Sequence, residues 1–401
     1  MKRPLLLLSA FMLIIIALPA FGVGWAEGAP PPGGSGSLPT SAGAPTCLGG
    51  WVPPIIGPGL TVALVKPVLT AAPYSQYKFG SFYAFYSQYG GAQGNITTSL
   101  GLLSTPLSDA LKFNGGWGAS FSLYKFMDST AARDCGLVIG RNVVVLSDVN
   151  VSSGELFTPG GGAKFDVVVI GFAEYVTQDE YSQLQRFVAS GGRLVIMGGD
   201  DFVVRVDYSP VTGNETYVVG HGFDFNGATA WRSPAEPFRA NNTDWVGSNY
   251  CCFHEFTYSG ASLNQSDSIG AALQRAFGPT VFREYISHEE ASVTNSTMTS
   301  LIGTFVDSNG TVVAAYSHSY RRGTVVCMCV FADDIISTSA SAQYFLVLAI
   351  SPAGAREGVA VDLPWIIIVF VGEAASAGVA VWALWWRRAP PDGADARGVP
   401  S

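Results

Sequence analysis

Phe165-Asp-Val-Val-Val-Ile-Gly-Phe-Ala-Glu-Tyr-Val-Thr177 decides how this chain folds. The part from Phe165 to Gly171 is of strand length and, Asp166 aside, unbroken in its apolar character, so it predicts a strand buried on both faces. Thr177-Gln-Asp-Glu180 has capping-box spacing, which predicts that the Thr177 hydroxyl serves the Glu180 amide while the Glu180 carboxylate returns to the Thr177 amide. Tyr181, Leu184, Phe187 and Val188 then share one helical face, Gly191-Gly192 ends the helix, and Arg193 to Gly198 reads as a second β-rich run. Strand, helix and strand in 34 residues predict a βαβ unit with a parallel, right-handed crossover.

The same alternation continues upstream, more faintly, with Thr61 to Val65 as a strand, Phe79 to Tyr89 as an aromatic helix and Asn142 to Leu146 as another buried strand. A mostly parallel sheet with helices on both faces follows. Beyond Asp201 the texture turns β-rich: Val203 to Val206, Thr216 to Gly220, and Leu301 to Val306 with Thr311 to Tyr316 around a Ser308-Asn309-Gly310 turn. Asn-Gly between two β-prone runs signals a hairpin. Val325 to Phe331 adds a last strand, with Cys327 and Cys329 on one face, and Ala340 to Ile350 a closing helix. The expected α/β domain spans residues 55–352, with a β-rich C-terminal half.

Composition narrows the setting. Of 401 residues, 48% are hydrophobic and only 13% charged, about half the charged share usual in soluble domains. With 22 Lys and Arg against 30 Asp and Glu, net charge −8, no basic block offers a phosphate-neutralising surface, so nucleic acid is excluded as an expected partner. Residues 1–26 open with Lys2 and Arg3 and continue apolar, the pattern of a signal peptide or an uncleaved N-terminal anchor. A Pro/Gly/Ser-rich linker over 27–54 follows. Residues 364–386 predict a transmembrane helix, flanked by Arg387 and Arg388 and a cytoplasmic tail over 387–401. The expectation is a cell-membrane protein with a single C-terminal pass and most of its chain outside the cytoplasm.

Seven of the 12 asparagines stand in Asn-x-Ser/Thr sequons: Asn95, Asn150, Asn214, Asn241, Asn264, Asn295 and Asn309. They predict a glycoprotein. All six cysteines lie between the two apolar ends, an even number compatible with disulfides, but Cys327 and Cys329 are too close along one strand to pair with each other, so each is expected to find a distant partner or to remain a buried thiol. Glu373 interrupts the predicted membrane helix beside Gly372 and Ser376, a small-residue face suited to self-association or a partner's transmembrane helix.

Chemistry is weakly signalled. No P-loop, dinucleotide-binding glycine motif or nucleophile elbow appears in the folded part, and the four histidines form no zinc-protease pair. In open parallel sheets ligands sit beyond the carboxyl ends of strands, and two such ends carry acids: Glu174 with Tyr175, and Asp200 with Asp201. They are the candidate catalytic or hard-metal residues; the alternative is that they only cap backbone amides.

The stretch 165–177, the helix through Phe187-Val-Ala-Ser-Gly-Gly192 and Arg193-Leu-Val-Ile-Met-Gly-Gly-Asp-Asp-Phe202 resemble the C-terminal domain of the N,N-dimethylformamidase large (beta) subunit. The resemblance implies a flavodoxin-like sheet similar to class I glutamine amidotransferases. It also implies amide hydrolysis at an iron held by two tyrosines and a glutamate, with Tyr175 as the matching ligand and Glu174 beside it. Val203 stands where that family commonly has a second tyrosine, so iron is expected only if the family activity is retained. No thiol elbow supplies an amidotransferase nucleophile. The leading expectation is therefore a membrane-anchored surface protein with a non-catalytic, amidotransferase-like binding domain. The alternatives are an exported metal-dependent amidase-like hydrolase and a structural envelope component.

Overall fold

The computed structural model describes residues 56–57, 59–75, 104–217, 223–226, 229–232, 238–258, 260–283, 285–294, 296–307, 310–330 and 336–351. Seventeen strands are described: β1 Val62–Lys66, β2 Ser104–Pro106, β3 Val143–Ser147, β4 Val167–Ile170, β5 Tyr175–Thr177, β6 Arg193–Met197, β7 Val204–Ser209, β8 Asn214–Tyr217, β9 Phe223–Asn226, β10 Thr229–Arg232, β11 Ser248–Tyr258, β12 Ala261–Leu263, β13 Thr280–Val281, β14 Tyr285–Val293, β15 Thr299–Asp307, β16 Gly310–Tyr320 and β17 Gly323–Met328. The α-helices are α1 Val68–Ser75, α2 Phe121–Met127, α3 Thr130–Asp134, α4 Asp148–Ser152, α5 Gln178–Ala189, α6 Arg239–Trp245, α7 Ser268–Phe277 and α8 Ala340–Ile350.

Nine strands form the main sheet, in the order β13-β12-β15-β16-β17-β6-β4-β1-β3. From β17 to β3 all neighbours run parallel, and their sequence order reverses between β1 and β4. Apolar residues alternate between the two faces of this half. Val62, Leu64, Val167, Val169, Val195 and Met197 join α2, α7 and α8 in one core, whereas Ala63, Val65, Val168, Ile170, Leu194 and Ile196 join α5 and Trp245 of α6 in the other. Burial on both faces explains why β1, β4 and β6 read as continuous apolar runs, whereas β3, expected to be buried, is the edge strand and leaves Val144 and Val145 exposed. Asp166 fixes the register of β1 by accepting from the Thr61 amide and hydroxyl at 2.8 and 2.9 Å. A separate sheet, β2-β8-β7-β5, carries β5, a three-residue strand between β4 and α5.

The structure corrects the expected fold. Four of the eight pairings in the main sheet are antiparallel, so it is a mixed sheet and not the mostly parallel, flavodoxin-like one. The cause lies in residues 299–328. Two successive hairpins, β15–β16 and β16–β17, place β17 parallel to β6, and tight connections force the strands beyond it to run antiparallel.

The expected C-terminal membrane pass, and the cell-membrane location built on it, is likewise withdrawn. Among the described residues no helix is long and apolar enough to cross a membrane. Residues 364–386, with Gly372, Glu373 and Ser376, lie outside the described residues, as do 1–26, 27–54, 387–401 and the aromatic segment 79–89. Cys327 and Cys329, expected not to pair with each other, are buried free thiols on one face of the sheet, whereas Cys135 is disulfide-bonded. Burial comes first among the causes that push the Cys329 thiol well above its usual range.

Candidate functional site at the carboxyl edge of the sheet

The loops after β4 and β6 are stitched together. Asp201 Oδ1 accepts from the Ala173 amide at 2.8 Å, and the Phe202 amide donates to the Ala173 carbonyl at 2.9 Å. Gly198 permits this approach, since a Cβ there would lie 2.7 Å from Asp201 Oδ2 and 3.0 Å from the Gly171 carbonyl. Phe202 takes a φ of 58°, a left-handed conformation costly for a bulky residue, and its ring is completely buried against Tyr181 and Trp245.

Of the residues predicted from sequence, Glu174 and Asp200 are brought together around Asp201, and all three are buried. Burial, with the negative charges of Asp200 and Glu174 adding to it, holds the Asp201 carboxyl well above the usual carboxylate range. Its Oδ2 accepts no hydrogen bond. Glu174 Oε2 accepts from the Tyr74 hydroxyl at 2.5 Å, a contact that ties α1 to the β4–β5 turn. Tyr175 is 0% exposed. Its amide donates to Thr70 Oγ1 at 3.1 Å and its ring meets Tyr74 edge-on. A small pocket opens beside this acid group, bordered by Gly198, Gly199, Asp201, Ser248, Asn249 and Cys327, and Tyr175 does not line it.

The iron implied by the resemblance does not fit these residues. Val203 is buried where a second phenolate would be needed, and Tyr175 does not line the pocket beside the acids.

A second acid group went unread in the sequence. Asp148 opens α4, Glu180 lies in the first turn of α5 and Glu215 sits in β8, all of them buried. The predicted capping box at α5 is half formed: Thr177 Oγ1 accepts from the Glu180 amide at 3.0 Å, but neither Glu180 carboxylate oxygen makes a hydrogen bond. The reciprocal box occurs at α4, where Ser147 and Asn150 cap each other.

That box occupies one predicted sequon, since Asn150 Nδ2 also donates to Glu155 at 2.8 Å. Asn264 donates to the Leu301 carbonyl at 2.7 Å, Asn214 opens β8, and Asn241 is exposed on α6. Asn95, Asn295 and Asn309 lie outside the described residues.

Comparison with protein families and with curated proteins gives no match. Among solved structures, the chain is similar to a β-galactosidase from Rahnella sp. R3 at 15% identity, over 55% of this chain and 26% of that one, with a TM-score of 0.33. A β-galactosidase from Halorubrum lacusprofundi gives 13%, 59%, 27% and 0.34. A ThuA-like protein from Bacteroides uniformis gives 10%, 78%, 94% and 0.35. The chain thus spans little more than a quarter of the length of these two β-galactosidases. At such TM-scores none of the likenesses informs the function.

Proposed function

We propose that the folded domain acts by recognition and not by catalysis, taking a small ligand beside Asp201 when the loops after β4 and β6 part, since the cavity of about 10 Å³ there otherwise has room for about one water. The observation that carries this reading is Asp201 itself, a carboxyl 8% exposed that borders a pocket and leaves Oδ2 without a hydrogen-bond donor. A cationic or N–H-bearing group is the chemistry that satisfies such an oxygen, by taking the place of the proton that burial retains there. The buried state of Glu174, Tyr175 and Asp200 supports binding over turnover, because none of them is presented to bulk solvent.

The resemblance to N,N-dimethylformamidase supports a second reading, an amide hydrolase. In it a protonated Asp201 would give its proton to the leaving amine as the C–N bond breaks, the hydroxyl of a water adding to the carbonyl carbon and that water's other proton returning to Asp201, yielding a carboxylic acid and an amine. One experiment separates the two. The purified chain is titrated with guanidinium, formamide and N,N-dimethylformamide, followed by thermal unfolding and by assay of released amine. Stabilisation that is lost in Asp201→Asn, without amine release, supports recognition. Amine release favours the hydrolase, and no effect of any probe overturns both.

A further inference from the structure

Asp148, Glu180 and Glu215 come from three separate elements, and each is buried. Asp148 lies within electrostatic reach of both of the others. Its carboxylate oxygens accept the Leu69 and Val149 amides at 2.7 and 2.8 Å, which fixes it against the start of α1. The four carboxylate oxygens of Glu180 and Glu215 accept no hydrogen bond at all. Ser152 Oγ and Thr177 Oγ1, 2.8 Å apart, join α4 to the start of α5 alongside.

Three enclosed negative charges require compensation. Lys66, at the end of β1, acts on Asp148 and also lies over the Trp117 ring. On β7, Arg205 pairs with Asp207 at 3.5 Å, and Tyr208 stands opposite Glu215 in register. On α5, Arg186 stacks over Phe157 at 4.0 Å and Asp179 is exposed. On α1, Tyr74 is committed to Glu174, which leads into β5, where Tyr175 is the titratable residue. No ion pair found among the described residues includes any of the three acids, and no metal-ion cage closes around them. One lysine against three carboxylates leaves protons as the balancing charge.

We propose that Asp148, Glu180 and Glu215 form a proton-dependent clamp that fastens the β2-β8-β7-β5 sheet to the carboxyl edge of the main sheet and loosens when its acids ionise. Glu215 belongs to that sheet, Asp148 directly follows β3 of the main sheet, and Glu180 lies on the helix that leads from β5 back to β6. Burial pushes the Asp148 carboxyl up to about 8, and burial, with Asp148 adding to it, raises Glu180 and Glu215 well above the usual range. The sign follows. Each folded-state value lies above the unfolded one, so the contribution is fully present below about pH 4 and is lost as pH rises through the folded values. Each group that sheds its proton only on unfolding shifts the unfolding equilibrium up to about tenfold per pH unit.

The test is thermal unfolding of the full chain between pH 5 and pH 8.5, with amide exchange followed in β7 and β8. The expected result is a midpoint that falls as pH rises, with β8 exchanging ahead of global unfolding at the alkaline end. Glu180→Gln and Glu215→Gln, which mimic the protonated side chain in size, should each flatten the slope; having two variants guards against one that fails to fold. A flat or rising midpoint, or Gln variants that keep the wild-type slope, overturns the proposal. So does a divalent chloride that abolishes the pH dependence, since the balancing charge would then be a metal ion.

Discussion

Tyr74→Phe removes one oxygen atom and tests how the candidate site is held. The hydroxyl donates to Glu174 Oε2 at 2.5 Å across 100 positions of sequence, while the ring keeps its edge-on contacts with Phe172 at 5.5 Å and Tyr175 at 6.2 Å. Shape is thus conserved and only the hydrogen bond is lost. A bond to a carboxylate contributes about 1.5–3 kcal/mol, and its loss leaves an enclosed carboxylate oxygen one donor short, so the variant should lose about 2 kcal/mol. The assay is urea unfolding of the wild type, Tyr74→Phe, Glu174→Gln and the double variant. A coupling energy of at least about 1 kcal/mol between the two positions is expected, because they share one bond. A single-variant loss below about 0.5 kcal/mol, or additive losses, would refute the view that α1 is locked to the β4–β5 turn through this contact.

Gly323→Ala should destabilise by about 3 kcal/mol in denaturant unfolding, because its Cβ would run into the Val188 and Gly192 carbonyls where β17 joins β6. A loss below about 1 kcal/mol would mean that this junction can open without harm to the sheet. In a glycosylating host, peptide mapping should find sugar on exposed Asn241 and none on Asn150, whose amide nitrogen is bonded to Glu155; occupied Asn150 would show that the Ser147–Asn150 box is open when the sugar is added.

The secondary structure was most legible where each residue obeys a single constraint. The run from Phe165 to Gly171 must satisfy two apolar faces, and β4 lies within it; Thr177 caps α5 as its spacing predicts, and α8 begins and ends on the predicted residues. What periodicity cannot state is which edge a strand joins. The apolar residues of β17 fit a parallel or an antiparallel neighbour equally well, and only the pairing with β6 on one side and β16 on the other reveals a mixed sheet. Asp166 illustrates the same limit. In sequence it interrupts an apolar run, whereas in the fold it is the residue that sets β1 against β4.

The site shows a different limit, one of electrostatics. The rule that acids at carboxyl ends of parallel strands face a ligand located Glu174 and Asp200, and applied to β3 it would also have located Asp148, one residue past Ser147. Glu180 carried a competing local explanation. A glutamate three residues after a threonine ordinarily returns to the backbone, and the sequence contains nothing to say that this carboxyl stays unbonded near a second buried acid. Glu215 left no trace at all, because it falls just before the strand read from Thr216 to Gly220 and shows as buried only in the sheet, where it stands opposite Thr105 of β2. The three acids therefore become a group only through long-range pairing. For that reason the pH dependence of the clamp is the measurement most sensitive to whether β8 sits where the structure places it: moving Glu215 to the other face of β8 by a one-residue slip would expose it to water and restore an ordinary carboxylate.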